Sequence, residues 1–257
     1  MANIYEQEIF KIIHKKSTWY SLGIVFILML MVALFSLNSL SLSDRQFYFS
    51  SAYGGYQWSL ILIIIISSSF ITMEFEYGTI KQLIIQTNTR SSIYFAKLMV
   101  IIVYDFLIHI GDIIFTIIIK LILQPKLSLN QIYMYHQSLL NNLLINAVLD
   151  ILTSFVVISI VLCLASMATN SAASVAIGIG FCFLGEGLSS FLISGFSKFF
   201  PQIKWNPFNM LNVQNQYGNP EYFHTTHLTL SQLMGGNMVW TIVFLIIGMW
   251  IFSRREV

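Results

Sequence analysis

Charged residues are scarce in this sequence. Asp, Glu, Lys and Arg together make up 9% of the 257 residues, whereas apolar residues make up 56%; soluble domains carry about 25% charged residues. So few charges cannot cover a water-facing surface for a chain of this length, which indicates that lipid surrounds much of it. The net charge of +2 shows no basic excess that would attract nucleic acid, so we expect no nucleic-acid partner.

Recognisable catalytic and cofactor-binding patterns are also missing. The Gly-x-x-x-x-Gly-Lys-[Ser/Thr] loop that cradles ATP phosphates does not occur, so an ATP-driven function would place ATP and Mg²⁺ on another polypeptide. Asp105 and Asp112 lie on one predicted helix, roughly 10 Å apart, too far to share the water of an aspartic protease. His224 and His227 lack a suitably spaced acidic or cysteine partner, which favours a solvated loop over a metal site. We therefore expect no catalytic residue, metal or cofactor on this chain.

Six apolar runs are each near the roughly 20 residues that cross a bilayer as a helix. Lipid offers no hydrogen-bond partners, so a spanning segment must pair its own backbone groups. The run from Ile61 to Ile66 shows no alternation with period two, which argues against the strands of a barrel. The sequence thus predicts an all-α polytopic membrane protein, with residues 1–257 forming a single transmembrane domain. The predicted spans are residues 19–40, 57–73, 93–123, 143–165, 172–191 and 237–252.

Lysine and arginine favour the cytoplasmic side of a membrane, and their distribution orients the six spans. With the N-terminus inside, the cytoplasmic segments hold about twice as many of them as the outer segments. We therefore predict that both termini are cytoplasmic. Residues 3–16 are amphipathic, with Ile4, Ile9, Ile12 and Ile13 on one apolar face, and this favours an interfacial helix on the inner membrane surface. The alternative is a charged flank that only orients the first span.

A polar break separates the second span from the third. A helix over residues 74–83 would stack Phe75, Thr79 and Leu83 on one side, and Gly78 would allow it to bend. The pattern predicts a cytoplasmic coupling loop, residues 74–90, whose short helix inserts into a cleft of a soluble partner. An ordinary loop whose charges mark the inner face is the alternative. The candidate contact residues are Glu74, Phe75, Glu76, Tyr77, Gly78, Thr79, Lys81 and Arg90.

Ionisable residues also occur inside the predicted spans, where each is costly in lipid. Asp105, His109 and Asp112 share one helical face of the third span, while Asp150 lies in the fourth span and Glu186 in the fifth. One interpretation is a polar lining for a translocation route or a proton relay. The other is hydrogen bonding between helices and solvation of helix ends.

The segment between the fifth and sixth spans, residues 192–234, is neither a full span nor a plainly soluble loop. It mixes aromatic residues with Pro201, Pro207, Pro220 and several Asn residues, and Trp and Tyr favour the headgroup region. We predict short re-entrant or interfacial helices on the outer face, with a plain interfacial loop as the alternative.

One stretch of this sequence resembles the first cytoplasmic loop of type-2 ABC transporter permeases. That loop has an acidic residue, then Gly-Thr, an apolar stretch, an Arg/Ser turn and a Lys. The residues that carry the resemblance are Glu74, Gly78-Thr79, Arg90-Ser91 and Lys97, with Glu8 and Lys11 ahead of the first span. The resemblance implies a permease in the bacterial cytoplasmic (plasma) membrane that pairs with a second, identical or homologous permease and docks on ATPase subunits through this loop. The small size is similar to permeases of the lantibiotic-immunity and bacitracin-resistance type.

The expected function is therefore the transmembrane permease subunit of an ATP-driven exporter, with ATP hydrolysis on a separate subunit. The expected cargo is an antimicrobial or other amphipathic peptide, or a hydrophobic toxin, moved out of the cell or membrane. Two alternatives stay open. A proton-coupled secondary transporter would use Asp105, His109 and Asp112, and a non-transporting membrane scaffold would use none of them.

Overall fold

The computed structural model describes residues 2–39, 41–87, 89–168 and 170–255, without the side chains of residues 2, 3, 38, 39, 86, 87 and 186. Within these residues the chain is helical, and the only β pairing described there is an isolated bridge between Ile132 and Ser138. The predicted all-α fold is confirmed. The helices, in chain order, are α1 (Ala2–His14), α2 (Lys16–Ser39), α3 (Leu42–Ser50), α4 (Gly55–Glu76), α5 (Ile80–Thr87), α6 (Arg90–Leu123), α7 (Leu139–Met167), α8 (Ser171–Phe196), α9 (Val213–Gly218), α10 (Phe223–Thr226) and α11 (Leu230–Arg254).

Among the described residues, five stretches are long and apolar enough to cross a membrane: Lys16–Leu37, Ala52–Glu76, Arg90–Leu123, Leu139–Met167 and Leu230–Arg254. A sixth is α8, which is bent by 51° between Ser171–Gly185 and Gly187–Phe196, as in a broken span or a re-entrant loop. The polytopic architecture is therefore confirmed. The fifth span differs from the one predicted at residues 172–191, since the helix continues to Phe196 and is bent.

The predicted span limits at 57–73, 143–165 and 237–252 are too narrow. The helix α11 extends past its apolar run because polar residues cap its start. At the start of α11, the Thr229 hydroxyl accepts a hydrogen bond from the backbone N–H of Gln232 (3.3 Å). The side-chain oxygen of Gln232 in turn accepts one from the backbone N–H of Thr229 (3.0 Å). This reciprocal cap satisfies two backbone donors that the first turn of a helix leaves unpaired. The predicted limit at residue 40 lies outside the described residues.

The N-terminal helix exists as predicted, but its faces differ from the expected ones. In α1, Ile4, Glu8 and Ile12 are buried, whereas Ile9 and Ile13 are exposed. The four isoleucines therefore do not share one face. Spacings of four residues place Glu8 between Ile4 and Ile12 on the buried side, and the exposed isoleucines leave apolar surface for lipid. Its location at the membrane interface stays a prediction.

Contacts divide the chain into two compact units. Unit 1 comprises Met1–His14, Ile63–Val103 and Leu152–Val257. Within it, helices pack closely at Gly178 of α8, where an added Cβ would lie 2.8 Å from a methyl carbon of Ile64 and 3.0 Å from one of Val161. Small residues at such crossings let membrane helices approach each other.

Unit 2 comprises Lys15–Leu62 and Tyr104–Ile151. In this unit the Tyr56 hydroxyl donates to the Leu143 carbonyl (3.0 Å) and the Asn146 amide donates to the Ser50 carbonyl (3.0 Å). These bonds satisfy buried polar groups and fix α4 and α3 against α7.

The segment after α8 forms short helices, as predicted. The 3₁₀-helices Pro201–Trp205 and Asn209–Asn212 precede α9, and Pro220–Tyr222 lies between α9 and α10. The helices α8 and α11 take the two ends of the predicted range 192–234. Buried amides hold the segment together: Asn209 donates to the Lys204 and Thr226 carbonyls at 2.7 and 2.9 Å. The Trp240 indole of α11 donates to the Trp205 carbonyl at 2.7 Å. The position of this segment on the outer face stays a prediction.

Candidate functional site

The polar break after the second span is a helix end, a turn and a new helix. The first helix, α4, continues through Glu76, and the backbone then turns at Gly78, whose φ is 67°. A left-handed φ of this kind favours glycine. The new helix α5 begins at Ile80. The predicted helix over residues 74–83 is therefore not continuous, because the chain turns at Gly78, the residue at which a bend was predicted.

Four ionised side chains meet behind this turn, and we call Glu8, Lys11, Glu74 and Lys97 the Glu74 cluster. The Lys97 ammonium donates to Glu8 at 2.9 Å and to Glu74 at 3.1 Å. The side chains of Lys97 and Glu8 are both 0% exposed. The ammonium also lies 4.6 Å from the centroid of the Phe70 ring, an arrangement in which the ring quadrupole attracts a cation.

Lys11 completes the cluster from α1. It donates to Glu8 at 2.8 Å and to Glu74 at 2.6 Å. Burial by itself lowers the pKa of Lys11, but its hydrogen bonds to Glu74 and Glu8 outweigh that effect and raise the pKa above its usual value. Two ammonium groups and two carboxylates therefore balance each other, and the cluster joins α1, α4 and α6.

The turn itself is attached to the cluster. The Thr79 hydroxyl donates to the Glu74 carboxylate, so this carboxylate accepts from Lys11, Lys97 and Thr79. Glu74 is 6% exposed. The sequence predicted that Glu74 faces a soluble partner, whereas in this chain the carboxylate points inward and holds the turn in place.

Other predicted contact residues do lie at the surface. Glu76, Tyr77, Gly78, Thr79 and Lys81 are all exposed. Tyr77 is 71% exposed, and Ile85 on α5 reaches 79%. A cleft of about 340 Å³ adjoins this surface, lined by Gln7, Lys11, Met73, Glu74, Tyr77, Thr79, Gln82 and Leu83. An exposed apolar and aromatic patch of this kind is typical of a docking surface.

The remaining predicted contact residues, Phe75 and Arg90, face the end of α11. The Arg255 guanidinium lies 3.8 Å from the centroid of the Phe75 ring and donates to the carbonyls of Ala165 and Ser166 at 3.3 and 3.0 Å. Arg90 donates to the Ser253 carbonyl at 3.3 Å and to the Arg255 carbonyl. The ends of α7 and α11 are therefore fixed beside the start of α6.

Sequence reasoning did not assign a site role to Glu8, Lys11, Lys97 or Arg255. A signal was present for Lys97, because a single ammonium in an apolar run has to find an acidic partner. Its partners could not be named, since Glu8 is 89 residues away along the chain.

Unit 2 contains a second polar group, which we call the His109 cluster: Asp105, His109, Asp112 and Asp150. The His109 Nε2 lies 2.8 Å from a carboxylate oxygen of Asp150, and its Nδ1 lies 2.8 Å from the Asp105 carbonyl and 3.3 Å from the Asp105 carboxylate. The Tyr56 ring stacks on the imidazole with the centroids 5.9 Å apart. All four cluster residues are 0–3% exposed.

Asp112 is held from α4 rather than by the imidazole. The Ser59 hydroxyl donates to its Oδ2 at 2.7 Å. The structure thus brings together four of the five residues predicted to line a translocation route, and all four are buried within the protein. Whether they line a translocation route stays a prediction. The side chain of Glu186, the fifth, lies outside the described residues.

Comparison with known protein families identifies the chain. Residues 4–185 match the family described as ABC-2 family transporter protein, a range that covers more than two thirds of the sequence and includes both clusters. No curated protein matches the chain, so the narrower likeness to lantibiotic-immunity or bacitracin-resistance exporters stays a prediction. The chain belongs to the ABC-2 family of transporters, as the multi-pass transmembrane permease subunit that partners with separate ABC ATPase subunits.

Proposed function

We propose that this permease exports an amphipathic cargo, such as a membrane-active peptide or a hydrophobic toxin, and that ATPase closure reaches its spans through the turn at Gly78. In this proposal both termini are cytoplasmic and ATP and Mg²⁺ bind the partner subunit. The observation that carries the proposal is the position of Glu74. The side chain of Glu74 lies directly behind an exposed turn, and its carboxylate belongs to the buried cluster that joins α1, α4 and α6.

The Glu74 cluster suits the transmission of movement. A push on Tyr77 or Thr79 acts on the end of α4, and the bonds of Glu74 pass the displacement to Lys97 on α6 and, through Lys11, to α1. Removal of one partner of a buried ion pair typically lowers the free energy of unfolding by about 3–5 kcal/mol. The three segments therefore move together more readily than they separate.

Exposed aromatic residues support an amphipathic cargo. Phe196, Phe199 and Phe200, at and just after the end of α8, are 44–77% exposed. Such side chains offer apolar contact area at low conformational cost. They would contact the apolar face of a peptide as it leaves the membrane. A second permease, identical or homologous, would complete the transporter. Family membership favours this ATP-driven function over a secondary transporter or a scaffold.

The docking surface is testable by purification of the tagged permease from cells that contain its ATPase. Tyr77→Ser and Ile85→Ser each remove an exposed apolar contact, so we expect less ATPase to co-purify while the amount of permease in the membrane stays unchanged. Phe199→Ser is the matched control, because Phe199 is 77% exposed and Ile85 is 79% exposed. Equal ATPase recovery from all three variants and the wild type would show that the ATPase does not dock on the surface around Tyr77 and Ile85. Export that continues without any co-purifying ATPase would overturn the proposed function.

A further inference from the structure

The His109 cluster holds more negative charge than its one base can balance. Both imidazole nitrogens face oxygen atoms, a backbone carbonyl on one side and the Asp150 carboxylate on the other. A carbonyl only accepts, so Nδ1 carries a hydrogen. The proton between Nε2 and Asp150 leaves that pair neutral in total, whichever of the two atoms it resides on. Asp105 and Asp112 add two further carboxyl groups to this neutral pair.

Asp112 is the carboxyl group of the cluster that the imidazole does not contact. Its Oδ2 accepts from Ser59, but its Oδ1 has no hydrogen-bond partner among the described residues, and neither has the Thr116 hydroxyl one helical turn further on. Asp112 and Thr116 are both 0% exposed. An ionised oxygen without a donor in a membrane interior is much less stable than the neutral acid.

Among the described residues, no cation forms an ion pair with Asp112. Between Ser17 and Ser39 of α2, which packs against α6 where Phe26 stacks on Phe115 with the centroids 4.6 Å apart, the sequence has no charged residue. The titratable and charged groups that act on Asp112 are Asp105 and His109 of α6, Asp150 of α7 and Tyr56 of α4. Apart from His109, all of them are acids.

We propose that Asp112 is a proton-binding site: it holds an exchangeable proton while it is buried against Ser59 and releases it when α4 and α6 part and water enters. Water then solvates the ionised carboxylate and also forms a hydrogen bond with the Ser59 hydroxyl. Acid conditions therefore favour the closed arrangement and neutral or basic conditions favour opening. The proposal does not depend on ATPase docking, and its test needs neither ATPase nor cargo.

Infrared spectroscopy of the full-length permease in lipid vesicles tests this directly, because a protonated carboxyl group shows a carbonyl stretch that a carboxylate lacks. We expect that band at neutral pH, a small shift in D₂O, and loss of the band in Asp112→Asn. Glu221→Gln, at an exposed carboxylate, is the control and should leave the band unchanged. Absence of the band from the wild type, or its survival in Asp112→Asn, overturns the proposal.

A second variant keeps the test independent of whether Asp112→Asn folds. Ser59→Ala removes the hydroxyl that donates to Oδ2, so the carbonyl stretch should move to higher frequency without losing intensity. A band that does not move in Ser59→Ala belongs to another acid and refutes the assignment. Loss of the band in Asp150→Asn with retention in Asp112→Asn would place the proton on the imidazole pair instead.

Discussion

Removal of the buried ammonium of Lys97 is the most decisive perturbation of the Glu74 cluster. In Lys97→Met the side chain keeps a similar length but loses its charge, so Glu8 and Glu74 are left with Lys11 alone. One carboxylate in a region that is 0–8% exposed then has no counter-charge. Loss of one partner from a buried pair costs about 3–5 kcal/mol, and we expect the free energy of unfolding to fall by that amount.

The measurement is denaturant-induced unfolding of the full-length permease in mixed micelles, followed by circular dichroism. Lys81→Met is the control, because Lys81 is an exposed lysine on α5 and surface changes usually stay within about 0.5 kcal/mol. Glu8→Gln in the Lys97→Met background restores one cation for one carboxylate. The double variant should therefore be more stable than Lys97→Met alone.

Two results would refute this reasoning. If Lys97→Met costs no more than Lys81→Met, the cluster does not hold the three helices together. If Glu8→Gln makes Lys97→Met still less stable, charge balance is not the reason for the cost. When ATPase activity and export are measured together, Lys97→Met should reduce export per ATP hydrolysed. Lys126→Met, at an exposed lysine outside the turn and α5, should leave this ratio closer to that of the wild type.

Two smaller predictions concern the turn and the segment after α8. Gly78→Ala places a Cβ at a φ of 67° with no atom within 4 Å, so backbone strain alone should destabilise the turn by about 1–2 kcal/mol. The control is Gly180→Ala, at a helical glycine with no atom near its added Cβ. This control variant should be neutral or stabilising in the same unfolding measurement. Trp240→Phe keeps an aromatic ring that stacks on Phe244 but removes the hydrogen bond from the indole to the Trp205 carbonyl. The free energy of unfolding should therefore fall by about 1 kcal/mol, and proteolysis within residues 201–226 should increase. Unchanged proteolysis would show that this hydrogen bond does not restrain the segment.

Sequence periodicity predicted the helices well but their ends poorly. Apolar runs located the six long helices that the described residues form, because a lipid-exposed span has to be both helical and apolar. The ends depend on polar caps instead, as at Thr229 and Gln232 of α11, and hydropathy does not register them. Hydropathy also does not register the bend in α8, because its residues are apolar on both sides; the bend lies between Gly185 and Gly187, where glycines allow the chain to turn.

The candidate site was recognised in part. The motif from Glu74 to Lys97 predicted a coupling element, and Tyr77, Thr79 and Lys81 are exposed as a contact surface requires. The prediction that Glu74 faces a soluble partner was wrong. A carboxylate next to a turn is ordinarily solvated, whereas here Lys97 and Lys11 contact it inside the protein. Helical spacing placed Asp105, His109 and Asp112 on one face, but gave no means of finding Ser59 as the donor to Asp112.

Composition and periodicity by themselves determined that this chain is a helical membrane protein, and the Glu–Gly-Thr–Arg-Ser–Lys series pointed to its family. These features follow from local chemistry, since lipid restricts which residues and which backbone structure a span contains. Only the tertiary structure decided which charges neutralise each other. Ion pairs such as Lys97 with Glu8, or His109 with Asp150, join residues 89 and 41 positions apart, and helix packing alone brings such residues within bonding distance.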